Sequence, residues 1–157
     1  KTPSVKINVS SKTLYVKGSP ATVTLKATTA SVTGKVTYTS SKPSVAAVAA
    51  NGKVTAKAAG TAVITAKCGN YKATCKITVK KPSVKASASA KTVFVGGTSQ
   101  ITVKKTGVSG KVTYTSSNKS VAVVSAGGKV TAKKAGTATI TVKSGNKKIT
   151  CKVKVKK

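Results

Sequence analysis

Apolar residues in the first half of the chain recur at every second position between short polar interruptions: Val5, Ile7 and Val9, then Leu14 and Val16, Val23 and Leu25, and Val36 and Tyr38. Successive side chains of an extended strand point to opposite faces, so each run predicts a strand with one apolar face. Gly, Ser, Pro and Asn separate the runs, the punctuation of an all-β sandwich. Val45 to Val48, a turn at Asn51-Gly52, a strand over 53–57 and Gly60 follow. The closing hairpin has arms at 61–67 and 71–79 around Gly69-Asn70, a pair suited to a two-residue turn with positive φ. Alternation assigns Ala62, Ile64, Ala66 and Cys68, with Ala73, Cys75, Ile77 and Val79, to the core face. Thr61, Thr65, Lys67, Lys72, Thr74, Lys76 and Thr78 then face solvent. The pattern predicts seven or eight strands per copy and no helix.

There are two copies. GKVTYTSS at Gly34 to Ser41 returns at Gly110 to Ser117, and GKVTAK at Gly52 to Lys57 returns at Gly128 to Lys133, both 76 residues later. AGTA and TCK repeat at the same offset, whereas the opening KTPSVK at Lys1 to Lys6 matches KKPSVK at Lys80 to Lys85 with an offset of 79. The second copy is therefore three residues shorter before Gly110, a gap that belongs in a loop. We expect two domains, 1–79 and 80–157, joined at Lys80-Lys81-Pro82, where proline interrupts strand pairing. The expected cores are Val36, Tyr38, Val45, Val54, Ile64 and Ile77 in one domain and Val112, Tyr114, Val121, Val130, Ile140 and Val153 in the other. Tyr15 and Phe94 also fit core positions of equivalent strands.

Tyr38-Thr39-Ser40-Ser41 with Ser44-Val45-Ala46, then Asn51 to Lys57, Ala59 to Ala62 and Ile64-Thr65, resembles the signature of bacterial immunoglobulin-like domains of group 2. Tyr114 to Ser117, Ser120 to Ala122, Gly128 to Lys133, Ala135 to Ala138 and Ile140-Thr141 repeat it, so the resemblance covers both copies. It implies two tandem immunoglobulin-like β-sandwich domains. Members of that family are stalks, spacers and binding units in bacterial surface proteins, adhesins, secreted wall enzymes and phage structural proteins. The resemblance therefore implies an extracellular or bacterial cell-surface location.

Charge changes the picture. Among 157 residues there are 30 lysines and no Asp, Glu, His or Arg, a formal net charge of +30. A chain of ordinary composition would carry carboxylates in numbers comparable to its cations. Without carboxylate or imidazole there is no paired-acid hydrolysis, no Ser-His-Asp triad and no carboxylate cage for a metal. We expect no enzyme, no metal site and no cofactor. The absence of carboxylates also removes the calcium sites of some surface immunoglobulin-like repeats, and the acid that assists Lys-Asn isopeptide formation in others. Hydrophobic residues make up 39%, enough for a core, and no apolar run reaches the length of a membrane span. Beginning at Lys1 and not at Met, the chain reads as a processed product or a piece of something longer.

Three cysteines remain as candidate chemistry. Cys68 and Cys75 share a face on adjacent arms of one hairpin and are a candidate disulfide; a strict two-residue turn would place Cys68 opposite Tyr71, so the bridge needs a bulge or longer turn. Ser144 replaces Cys68 in the second copy, which leaves Cys151 alone as a small core thiol. Asn8-Val9-Ser10 and Asn118-Lys119-Ser120 match the glycosylation triplet, a short pattern that arises by chance. The lysines are unevenly placed, 12 in residues 1–79 and 18 in residues 80–157. Doublets concentrate them: Lys80-Lys81 at the joint, Lys104-Lys105, Lys133-Lys134, Lys147-Lys148 and Lys156-Lys157. These ten residues are the expected polyanion-binding set.

Two functions follow from this reading. In one, the pair is a non-catalytic adhesion module whose lysines, as hydrated point charges, hold a polyanionic surface, glycan or nucleic acid without sequence selectivity. In the other it is a structural stalk, or a filament or virion segment, that pairs with an acidic protein partner or with other copies of itself. Deliberate removal of acids in a supercharged protein is a third origin of the composition.

Overall fold

The computed structural model describes residues 2–88 and 91–157; Lys1, Ser89 and Ala90 lie outside it. The described residues form 17 strands and no helix. The chain divides into two compact units, Lys1–Pro82 and Ser83–Lys157.

The first unit contains β1 (Ser4–Ile7), β2 (Ser11–Tyr15), β3 (Thr22–Thr24), β4 (Ala27–Ala30), β5 (Thr37–Ser40), β6 (Ala46–Val48), β7 (Lys53–Ala56), β8 (Gly60–Cys68) and β9 (Tyr71–Lys80). One layer is the sheet β2-β9-β8-β5; the other consists of β3-β7-β6 and the pair β1-β4. The second unit contains β10 (Ser83–Ala88), β11 (Thr92–Phe94), β12 (Thr98–Thr106), β13 (Val112–Ser116), β14 (Ala122–Val124), β15 (Lys129–Ala132), β16 (Gly136–Ser144) and β17 (Lys147–Lys156). Its sheets are β11-β17-β16-β13 and β10-β12-β15-β14. In both units a short edge strand runs parallel to the last strand, β2 on β9 and β11 on β17, while the other pairings are antiparallel.

The long hairpins follow their alternation. β8 and β9 pair from Gly60 opposite Val79 to Cys68 opposite Tyr71. Ala62, Ile64, Ala66, Cys68, Cys75, Ile77 and Val79 are buried, and Lys67, Lys72, Thr74 and Lys76 are exposed. Gly69 holds φ 55°, the positive value that a glycine-first two-residue turn requires. In the second unit Val93, Ile101, Val121, Val130, Ile140, Val142, Val153 and Val155 are buried in one cluster, with Val112 and Tyr114 packed against it.

The first unit has one strand more than expected. The sequence Ala27-Thr28-Thr29-Ala30 carries no apolar alternation, yet it pairs as β4 with β1. In the second unit a single strand, β12, serves both ladders, pairing with β10 through Ile101 to Thr106 and with β15 through Thr98 to Gln100. In the first unit the equivalent chain breaks at Leu25-Lys26, and every backbone group of the break has a partner. Leu25 N–H donates to the Gly52 carbonyl at 2.9 Å, and the Tyr38 hydroxyl donates to the Leu25 carbonyl at 3.2 Å. The same hydroxyl accepts from Ala27 N–H at 3.0 Å. Asn8 holds Lys26 from both sides: its Oδ1 accepts from Lys26 N–H at 2.9 Å, and its own N–H donates to the Lys26 carbonyl at 3.0 Å. That is the structural use of the asparagine in the Asn8-Val9-Ser10 triplet.

Tyr38 and Tyr114 pack against their cores as expected. Tyr15 and Phe94 do not. Leu14 and Val93 are the buried residues of β2 and β11, which leaves Tyr15 half-buried on the outer side and Phe94 63% exposed. Val93-Phe94-Val95 is apolar throughout, so the sequence carries no phase there; the register with β17 sets it, putting Val93 opposite Val155 and Phe94 opposite Lys156.

Glycine makes room for the two core tyrosines. At Gly128 a Cβ would sit 2.9 Å from the Ile101 carbonyl oxygen and 2.9 Å from Tyr114 Cζ, and at Gly52 it would press on the Leu25 carbonyl oxygen and Tyr38. Gly128 and Gly96 share a φ of 83°, but a Cβ added at Gly96 would meet nothing within 4 Å. Gly96→Ala should therefore cost only the left-handed backbone strain, about 1–2 kcal/mol. Gly128→Ala adds overpacking against Tyr114 and should reach about 3 kcal/mol or more. Urea unfolding of the two variants measures the difference; equal costs would mean that the glycine–tyrosine contact is not a packing constraint.

Candidate polyanion-binding face

A strand that alternates threonine or lysine with valine puts all of its polar side chains on one face. β17 reads Lys148, Thr150, Lys152, Lys154 and Lys156 outward, with Val153 and Val155 buried beneath. Its neighbour β16 presents Thr137, Thr139, Thr141 and Lys143 on the same side, in register opposite Lys154, Lys152, Thr150 and Lys148. On the other flank Thr92 and Phe94 of β11 stand opposite Lys154 and Lys156. The outer face of this sheet is thus a threonine field crossed by a row of lysines, Lys152, Lys154 and Lys156, with Lys148 and Lys143 at its far end.

Alternate residues of a strand are about 6.7 Å apart. Two ammonium charges at that distance repel by roughly 0.6 kcal/mol in water before screening, and salt at physiological strength reduces this further. The fold tolerates such a row because each term is small and every described lysine is exposed except the half-buried Lys147. The repulsion is nevertheless real. Lys143 stands directly opposite Lys148, and Lys67 directly opposite Lys72, the same rung in both units. Like charges at opposed positions destabilise an antiparallel pair, so stability does not account for their placement.

The first unit carries a weaker version of the face. β9 presents Lys72, Thr74, Lys76, Thr78 and Lys80 outward, with Lys67 on β8. Thr78 stands where the second unit has Lys154, and the 37% exposed Val63 stands where it has Thr139.

The doublets expected to bind polyanions do not converge. Neighbouring residues of a strand point to opposite sides, so a doublet divides its two charges between faces. Lys104 is outward on β12 opposite Lys85, whereas Lys105 stands opposite Val84 and its Nζ donates to the Gly110 carbonyl at 2.8 Å. Lys148 lies on the outer face of β17, and Lys147 is half-buried. Lys133 and Lys134 lie in the loop between β15 and β16, where both amides donate to the Val121 carbonyl. Lys156 joins the face, Lys157 follows the strand, Lys80 ends β9 opposite Tyr15, and Lys81 lies beyond β9. Lys143, Lys152 and Lys154, absent from the expected set, complete the face. Their signal was present in the sequence as Lys152-Val153-Lys154-Val155-Lys156, a run that alternates charge with valine.

The disulfide considered from the sequence does not form, and all three cysteines are free. The turn has two residues and no bulge, so Cys68 faces Tyr71 while Cys75 faces Ile64, four rungs further along the ladder. The Cys68 thiol donates instead to the Gly34 carbonyl at 3.3 Å. In the second unit the hydroxyl of Ser144 donates to the equivalent Gly110 carbonyl at 3.4 Å, which explains why serine can replace that cysteine. Burial pushes the Cys75 thiol above its ordinary range. Cys151 is half-buried opposite Ile140. Asn118, of the second glycosylation triplet, turns the chain: its Oδ1 accepts from the Ser120 amide and hydroxyl and from Val121 N–H.

Two sheets face to face, most strands antiparallel and the last strand flanked by a parallel edge, define an immunoglobulin-like sandwich, present here twice. The chain belongs to the bacterial Ig-like domains: residues 34–81 match the bacterial Ig-like domain family and residues 77–153 its group 2. Among solved structures, domains 4 and 5 of the S-layer protein SbsC align over 99% of this chain and 99% of theirs, with 28% identity and a TM-score of 0.57. The S-layer protein rSbsC aligns over 99% of this chain at 27% identity and a TM-score of 0.57. This chain covers only 28% of that longer one. No curated protein matches.

The cysteine assignments have a direct test. Reductant should leave the stability of both units unchanged, and iodoacetamide should label Cys151 ahead of Cys68 and Cys75. A thiol whose ionisation is suppressed by folding holds its proton more tightly in the native state. The stability tied to Cys75 is therefore complete below about pH 8.5 and falls as pH rises past that value. Cys75→Ala should remove this part of the alkaline loss, measured by urea titration at several pH values between 8 and 10; an unchanged slope would reject it.

Proposed function

We propose that this tandem is a non-catalytic module of a bacterial surface protein, and that the lysine–threonine face of its second unit holds polyanions. The observation that carries the reading is the row Lys152, Lys154 and Lys156 on one face of β17, joined by Lys148 and Lys143, on a chain with no anionic side chain to neutralise it. A like-charged row, with an opposed lysine pair that recurs in both units at a cost in folding free energy, fits a partner that supplies the missing charge. Lysine suits a diffuse anionic surface because its ammonium is a compact, hydrated point charge that makes no bidentate selection. The similarity to a surface-layer protein, at 27–28% identity, supports an extracellular, cell-surface location.

A second reading is favoured by one comparison. Because domains 4 and 5 of SbsC match this chain end to end, the pair also fits a spacer repeat within a longer surface protein. In that case the lysines would meet an acidic neighbouring protein and not a free polymer.

Salt dependence separates the two. With duplex DNA as a generic polyanion, each neutralised phosphate lowers the log–log salt slope by about 0.9, so four lysine contacts predict a loss of about 150-fold between 50 and 200 mM salt. Changing Lys148, Lys152, Lys154 and Lys156 together to Gln should flatten that slope by three to four, by about 0.9 for each contact. Changing Lys133 and Lys134 to Gln should move it far less. No binding at 50 mM salt, or tight binding that survives 0.5 M salt, would reject the polyanion face and leave the spacer reading.

A further inference from the structure

Resting on the polyanion reading, we infer that the preferred polymer is an acidic polysaccharide, with Phe94 as the ring against which one sugar packs. The face of the second unit offers three kinds of contact side by side. The lysine row supplies cations. Thr92, Thr137, Thr139, Thr141 and Thr150 supply hydroxyls in register with that row. Phe94, 63% exposed and opposite Lys156, supplies one aromatic face.

The ring is displayed on a fixed backbone. Val93 is buried directly before it, Val95 N–H donates to the Lys156 carbonyl at 2.9 Å, and the Phe94 carbonyl accepts from Gly97 N–H at 2.9 Å. An exposed phenylalanine adds nothing to the core, and its outward direction is set by these bonds. The first unit repeats the theme: Tyr15 stands outward opposite Lys80. Beside it, Ser11, Lys12, Thr13, Lys76 and Thr78 line an open depression of about 380 Å³ that again combines hydroxyls with ammonium groups.

The mixture selects among polyanions. An inorganic polyphosphate would use the lysines alone. A single-stranded nucleic acid gains its affinity from several aromatic residues stacked on successive bases, and this face has one ring. A sugar polymer uses all three contacts: carboxylates meet the lysines, hydroxyls meet the threonines, and the C–H face of a pyranose buries apolar area on Phe94.

The test compares polygalacturonate, inorganic polyphosphate and single-stranded DNA at about 50 mM salt, where electrostatic contacts are strong. It uses the full chain, Phe94→Ser, Phe94→Tyr and the triple change of Lys152, Lys154 and Lys156 to Gln. Phe94→Ser should weaken polygalacturonate binding about tenfold, the equivalent of ~1.4 kcal/mol, and leave polyphosphate binding unchanged. Phe94→Tyr should bind like the parent, and the triple variant should lose both ligands. Undiminished polygalacturonate binding by Phe94→Ser overturns the inference while leaving the polyanion reading intact. An equal loss for single-stranded DNA assigns the ring to base stacking and overturns it as well. If the triple variant binds every ligand as the parent does, the polyanion reading itself falls.

Discussion

No side chain of this protein carries negative charge, so no lysine can be neutralised by a neighbouring side chain, and each must keep its ammonium in water. Burial in these units is therefore confined to uncharged residues, with cohesion supplied by apolar area and backbone ladders. The period-two partition of each strand meets that requirement. It sends Val, Ile and Ala inward and Lys and Thr outward in one stroke, and a one-residue slip of β17 would exchange Val153 and Val155 for Lys152 and Lys154. With up to four lysines on the outer face of a single strand, such a slip is costly, so the charge that strains the face also fixes its register.

The layer opposite those hairpins depends on a tyrosine beside a glycine. Tyr38 in the first unit and Tyr114 in the second reach from the β5 and β13 edges to the backbone of the other layer, where Gly52 and Gly128 leave space for the ring. In the first unit the Tyr38 hydroxyl also satisfies two backbone groups at the break between β3 and β4. Tyr38 and Ile7 pack against both apolar clusters of that unit and join them, and Tyr38 also closes the hydrogen-bond account. The second unit keeps β12 continuous and has one apolar cluster, which shows the same sandwich built with and without the break.

Sequence alone disclosed those parts in which local pattern and tertiary pairing agree. Nine- and ten-residue strands repeat the alternation often enough to assign β8, β9, β16 and β17 face by face, and two copies confirm one another. Short strands carry less information. The β4 segment owes its pairing to β1 and not to its own Ala-Thr-Thr-Ala composition, and three consecutive apolar residues around Phe94 leave the facing to a neighbour. The lysine doublets divide between faces for a related reason, and only Lys148 and Lys156 of that set lie on the outer face of β17. Adjacent lysines look concentrated along the sequence, yet a strand separates them by its thickness, whereas lysines two apart converge. The cysteines differ again: both face the core as alternation requires, and only the ladder position set by a bulge-free turn keeps them apart.

The binding and assembly readings meet on the same electrostatic point. Two copies of a chain carrying +30 repel one another unless a counter-charge lies between them. Screening over about 8 Å in physiological salt removes that barrier at a distance but not at contact, where opposed ammonium groups would lie closer than the screening length. On the proposed reading, an anionic polymer laid along the Lys152–Lys156 row would change the sign of that interaction by supplying the missing counter-charge. Side-by-side order among copies would then follow from the polymer, just as an acidic neighbouring protein would supply the same counter-charge in the spacer reading. In either case a lysine row unfavourable to the isolated domain would be offset by its partner.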